Sequence, residues 1–246
     1  ASGVAVMLEC ARIMAQSRHR ATVFFVAFSA EETGRQGSQA FLRDVVQGSP
    51  PLDVRAVINV DTVGAQVGAD DAVVGDRVRV FSAPPNESAS RQLARTIHLV
   101  ASSYVPDFWP DVQPTVDREG HWSDHMTFSD ADYPAVRLIE AAEDPERTNS
   151  GRDTAERISS RYMARVTRVV LVALLVLADG PAPPADVALG PSPTDPDAQT
   201  LGWTASSNAV GYLIALRSAS SLTYDRWFQV GAPNVFAWDS DAFAGM

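Results

Sequence analysis

Cysteine is nearly missing from this chain of 246 residues: Cys10 stands alone. One cysteine excludes an intrachain disulfide and any zinc site built on thiolates. Cys10 falls in an apolar pattern of helical period and reads as core packing. Long apolar runs are lacking too. The longest, residues 169–178, has 10 residues, whereas a membrane-spanning helix needs about 20; it reads as a buried helix, and no membrane span is expected. Basic residues are the minority, 20 against 30 acidic, for a formal net charge of −10. Phosphate backbones are bound by clustered Lys and Arg, so nucleic acid is not an expected partner. A Gly-rich phosphate loop, a G-x-S-x-G elbow and a Cys/His nucleophile pair are all absent. The chain opens at Ala1-Ser2-Gly3, without Met or a targeting segment; the expectation is that its natural beginning lies upstream, and no compartment is read from it.

The residues that are present describe an α/β domain followed by something different. Residues 4–16 carry apolar positions at helical spacing, and 21–28 (ATVFFVAF) form a β-rich run expected as a strand buried on both faces. Residues 34–46 read as a helix, 54–60 (VRAVINV) and 77–82 as strands, and 87–103 as a long amphipathic helix. Residues 104–120 are rich in Pro and Asp, have no period and are expected to be a loop. Residues 135–140 (AVRLIE) read as a strand and 154–178 as a closing helix. Strands alternating with helices predict a mixed, largely parallel sheet flanked by helices over residues 1–180. Six prolines between 180 and 196 predict a stiff linker at 181–196. It overlaps the start of a module at 184–246, read as an incomplete β-sandwich of five short strands.

Glu31 and Glu32 directly follow the first apolar run, and Asp61 follows the second. Ligands of open α/β sheets bind outside the carboxyl ends of the strands. Adjacent carboxylates there repel unless a cation lies beside them. With a divalent metal, one carboxylate binds the ion and its neighbour serves as general base. The alternative, from pattern alone, is that Glu31, Glu32 and Asp61 are surface acids or helix N-cap charges.

The segments FSAEETGRQGSQAFL, INVDTVG, WSDHMTF and GRDTAERI follow one another in that order. Together they resemble the bacterial co-catalytic zinc aminopeptidases (leucyl aminopeptidase and aminopeptidase Y type), relatives of glutamate carboxypeptidase-like proteins and glutaminyl cyclases. The resemblance spans nearly all of residues 1–180 and implies a zinc exopeptidase fold of the phosphorylase/hydrolase-like kind. It implies two zinc ions, Glu31 as the general base that deprotonates a bridging water, and Glu32 and Asp61 as ligands to separate ions. Ser123-Asp124-His125 matches the family's S-D-H segment, which places Asp124 and His125 at the substrate pocket. Two departures stand out. The family's H-x-D and D-D-N ligand segments do not occur in these residues. The family's final ligand His, four residues before a D-T pair, is here Asn149 before Asp153-Thr154, and an amide oxygen is a poorer zinc ligand than imidazole. His121 is a conceivable replacement. His19 and His98 read as structural or solvated, and Trp122, Trp109 and Phe108 as either pocket lining or packing.

Residues from 184 resemble a fibronectin type III-like module, on Pro183-Pro184, the Trp203 strand and Gly211-Tyr212. The resemblances together imply a zinc aminopeptidase acting on peptides, in an extracellular or periplasmic setting, with this chain alone short of two ligands and inactive. The alternatives are a glutaminyl cyclase, and a catalytically dead binding or scaffold protein, which Asn149 favours.

Overall fold

The computed structural model describes residues 1–192, 198–231 and the backbone of 235–239. They divide into two units, Ala1–Asp179 and Gly180–Met246.

The first unit is an α/β layer structure. Strands β1 (Val57–Val60), β2 (Arg77–Ser82), β3 (Trp109–Val112) and β4 (Ala135–Glu140) lie in the order β1-β4-β2-β3. β1 runs parallel to β4, and β3 parallel to β2, while β2 and β4 are antiparallel, so the sheet is mixed. Helices α1 (Ser2–Met14), α2 (Gln36–Phe41), α3 (Ala89–Tyr104), α4 (His125–Ser129) and α5 (Ser160–Asp179) flank it. β4 is buried at all six positions, as expected of a strand with a neighbour on each edge and layers on both faces. α3 begins at Ser88, whose side chain accepts the Arg91 N–H and caps the helix. α5 turns Tyr162, Val166, Val169, Val170 and Ala173 inward, a stripe of helical period. Cys10 of α1 is fully buried, in keeping with core packing. Gly3 permits the closest approach: a Cβ there would lie 1.9 Å from the Val60 carbonyl oxygen, so α1 seats its backbone against the end of β1.

Two elements depart from expectation. Residues 21–28 are not a strand. Among the described residues, 22–28 make no backbone hydrogen bond, and Phe24 is 56% exposed. Apolar sequence reports side-chain burial, but a strand also needs a partner edge. Here the segment and the free edge of β1 line one cleft of about 1710 Å³ instead of pairing. Aromatic contacts hold the segment: Phe28 meets Phe41 at 5.6 Å and Phe128 at 6.1 Å between ring centroids. Conversely, the stretch 104–120 contains β3. Its Pro110 hides the strand from pattern reading, yet Pro is tolerated where β3 sits, on the sheet edge. Two smaller differences concern helices. The helix expected over 34–46 widens into a π-helical turn at Leu42–Val46, and the closing helix starts only at Ser160.

In the second unit β5 (Ala185–Pro191), β6 (Ala198–Thr204) and β9 (Val235–Asp239) form an antiparallel sheet, and β7 (Tyr212–Leu216) pairs with β8 (Arg226–Val230). β5 occupies part of the stretch expected as linker. Trp203 of β6 meets Tyr212 of β7 edge-on at 5.0 Å, joining the two small sheets. Among the described residues no helix is long and apolar enough to cross a membrane.

Candidate metal centre

The cleft of the first unit collects Glu31, Glu32, Asp61, Asp124, His125 and Asn149 along its lining. Asp61 leaves the end of β1, its N–H donating to Leu138 O at 3.1 Å. Glu31 and Glu32 sit in a tight turn entered through Ala30 at φ 57°. The Gly34 and Arg35 N–H groups close it onto Glu31 O at 3.0 and 2.8 Å, and Gly37 N–H donates to Ser29 O at 3.1 Å. Gly37 is required for this closure, because a Cβ there would stand 2.4 Å from the Ser29 oxygen.

The site is short of positive charge. Burial, then the carboxylates of Asp61, Glu32 and Asp124, push the Glu31 carboxyl up to about 7. Burial likewise raises Asp124, with Asp61 adding to it. A divalent cation answers such an excess of carboxylate. Among the described residues, however, no three His, Cys, Asp or Glu side chains converge to hold an ion by themselves. Glu32 and Asp61, both on the cleft lining, are carboxylates of the kind that bind zinc and would supply part of a shell.

Asp61 is tightly held. Its Oδ2 accepts from Arg137 Nη2 at 2.8 Å and from Ser123 Oγ at 2.9 Å, while among the described residues Oδ1 has only the Thr62 hydroxyl at 3.3 Å. Asn59 Nδ2 donates to Ser123 Oγ at 2.8 Å, which turns the Ser123 proton toward Asp61. Asn149, at φ 57°, donates from Nδ2 to Glu32 Oε1 at 2.7 Å. The motif register thus places Asn149 beside Glu32, as a donor to it. His125 is fully buried, and its Nε2–H donates to Val116 O at 2.9 Å. Burial holds its pKa below the ordinary histidine value, and Nδ1 has no hydrogen-bond partner among the described residues. His121 contributes its carbonyl oxygen, to Arg137 at 2.8 Å. Phe108 packs on Tyr162 and Trp109 lies under Arg77, which assigns both to packing. Sequence reading missed Arg137 and Asp117; the one signal was a charged residue inside AVRLIE.

Residues 1–174 match the model of peptidase family M28. The chain belongs to this family. A protein of Leptosphaeria maculans described as a probable zinc metalloprotease is 29% identical over 259 residues, covering 94% of this chain and 60% of its own length. A second of that description, from Pyricularia oryzae, is 30% identical over 266 residues, covering 94% and 52%. The chain therefore spans about half to three-fifths of these curated relatives. Among solved structures, the Legionella pneumophila LapA aminopeptidase aligns with a TM-score of 0.57 at 22% identity, covering 72% of this chain and 46% of that one. The aminopeptidase from Aneurinibacillus sp. strain AM-1 gives 0.56 at 23%, covering 72% and 39%. These likenesses establish a shared fold.

Proposed function

We propose that the first unit belongs to a zinc-dependent aminopeptidase, with Glu31 as general base and Glu32 and Asp61 as ligands to separate zinc ions. The observation that carries this reading is the cleft itself, which gathers Glu31, Glu32, Asp61 and Asp124 on one lining; burial and this crowding push the Glu31 carboxyl up to about 7. A base works best when its pKa lies near the operating pH. Zinc, when bound, supplies a Lewis acid for the scissile carbonyl and lowers the pKa of water. The acidic lining favours a positively charged peptide N-terminus over a C-terminal carboxylate, and Asp124 and His125 help shape that pocket. Export of the protein, and a fibronectin type III-like nature of the second unit, rest on the sequence resemblance.

Because two carboxylates are a partial shell, these 246 residues hold zinc weakly and turn over little or no substrate alone. Zinc titration of the chain, with Glu32→Gln as control, tests the reading. Zinc uptake that weakens in Glu32→Gln supports it. No uptake at millimolar zinc would favour a scaffold without metal, the second reading, which the Asn149 donor at Glu32 supports. Hydrolysis of aminoacyl-anilides separates a peptidase from a glutaminyl cyclase, which would release ammonia from N-terminal Gln peptides. Brisk zinc-dependent hydrolysis by this chain would overturn the partial shell.

A further inference from the structure

Arg137 has no part in the chemistry above, yet its placement is costly. It is the third residue of β4, in a strand buried along its whole length, and is itself 2% exposed. A guanidinium in such a place must be paired and hydrogen-bonded to be tolerated. Nη1 donates to both carboxylate oxygens of Asp117 at 2.9 Å and to His121 O at 2.8 Å. Nη2 reaches the opposite way, to Asp61 Oδ2 at 2.8 Å. Asp117, whose side chain is fully buried, also accepts the Ser123 N–H at 3.0 Å and the Arg118 N–H at 2.8 Å. It therefore fixes the guanidinium and the Ser123 backbone together, and both of those residues then grip the same oxygen of Asp61.

Exposure decides what this arrangement does. Arg118 Nε also lies 4.0 Å from Asp117 Oδ1, and Arg118 and Arg79 share Glu143, so the connected guanidiniums and carboxylates balance. Asp117 is enclosed, whereas the Asp61 side chain is 40% exposed toward the cleft. The cluster therefore opens to the cleft through Asp61 Oδ1, the oxygen left with a single long contact among the described residues. A residue needed only to fill β4 would be apolar like its neighbours. A lysine would reach one acid and not fork between two.

We propose that Arg137, anchored by Asp117, is a positioning residue for Asp61: it pins Oδ2 and presents Oδ1 to a divalent cation in the cleft. The proposal rests on the reading of Asp61 as a metal ligand. Groups that orient a ligand without touching the metal typically change metal affinity by about 10–100-fold.

Two measurements on the full chain test it: zinc affinity by titration calorimetry, and the orientation of the Asp61 carboxylate in crystals grown without metal. In Arg137→Met the zinc Kd should rise about 10–100-fold, and Asp61 should leave its Ser123-facing orientation. Arg137→Lys, which keeps the charge and guards against a variant that fails to fold, should weaken zinc by less, with Asp61 or Asp117 released but not both. A folded Arg137→Met with Asp61 in place and an unchanged Kd would make Arg137 merely structural and overturn the proposal. Wild-type protein that takes up no zinc would sink the reading of Asp61 as a ligand. The crystals alone would then decide: a displaced Asp61 upholds the positioning role, and an unmoved one ends it.

Discussion

On one side of the cleft Asp61 extends from β1, which pairs with β4 at every residue from Val57 to Val60, and its carboxylate is clamped by Arg137 and Ser123. On the other side Glu31 and Glu32 follow a segment with no backbone ladder, held by three contacts among four phenylalanine rings and a glycine-dependent turn. Both walls present acids to one cavity, but one is tied into the sheet and the other into its own turn. A site whose donors differ in this way is organised around its rigid member. The loose wall has few backbone hydrogen bonds to lose, so it opens at low cost.

The largest effect should come from breaking the rigid wall. Arg137→Met takes from buried Asp117 its closest ion-pair partner, leaving Arg118 at 4.0 Å, and should cost about 3–5 kcal/mol in urea unfolding; a loss under about 1 kcal/mol would mean the wall is not held by this pair. On the loose wall, Phe28→Ala removes the contacts to Phe41 and Phe128 and should cost about 2–3 kcal/mol, since Phe28 is only partly buried. Equal losses from the two variants would erase the contrast.

Acidity sharpens the comparison further. Folded, Glu31 keeps its proton to about pH 7; its ordinary value is 4.5. The unfolded chain gives up that proton first, so the stability tied to this group is full below about pH 4.5 and is lost as pH rises through 7. Glu31→Gln should therefore be more stable than wild type by about 1–2 kcal/mol at pH 8, after solvent screening, and indistinguishable at pH 4. Urea melts at the two pH values check this. Asn149→His replaces a donor to Glu32 with an imidazole and should tighten zinc about tenfold by titration; an unchanged Kd would place Asn149 away from the ion.

Much of this was legible in the sequence, for reasons that also mark the boundary. β2 and β4 coincide with residues 77–82 and 135–140 because β-rich apolar residues dominate them, Val78, Val80 and Phe81 in one and Val136, Leu138 and Ile139 in the other, and all of these are buried. Asp61 announced itself by ending such a run. Residues 21–28 carry the same signature but have no hydrogen-bonding neighbour, and a neighbour is a property of the fold that no window of residues displays. β3 failed in the opposite sense, since Trp109-Pro110-Asp111-Val112 satisfies an edge without looking like a strand. The clamp on Asp61 joins positions 61, 117, 123 and 137, so only the sheet brings it together. Asn149 was placed by the register of its motif, whereas the contact it makes with Glu32 needed coordinates. The likeness to the fungal relatives covers 94% of the chain and so continues past Asp179 into the second unit, where alternation and turns already pointed to short strands.

Hydrogen exchange of the full chain, read segment by segment with and without saturating zinc, tests the two-wall account most directly. Val57–Val60 and Ala135–Glu140 should exchange slowly in both conditions. Residues 22–32 should exchange fast without zinc and become protected when Glu32 takes up its ion. Fast exchange of residues 22–32 that bound zinc leaves untouched, or protection of that segment equal to β1 without any metal, would contradict the account.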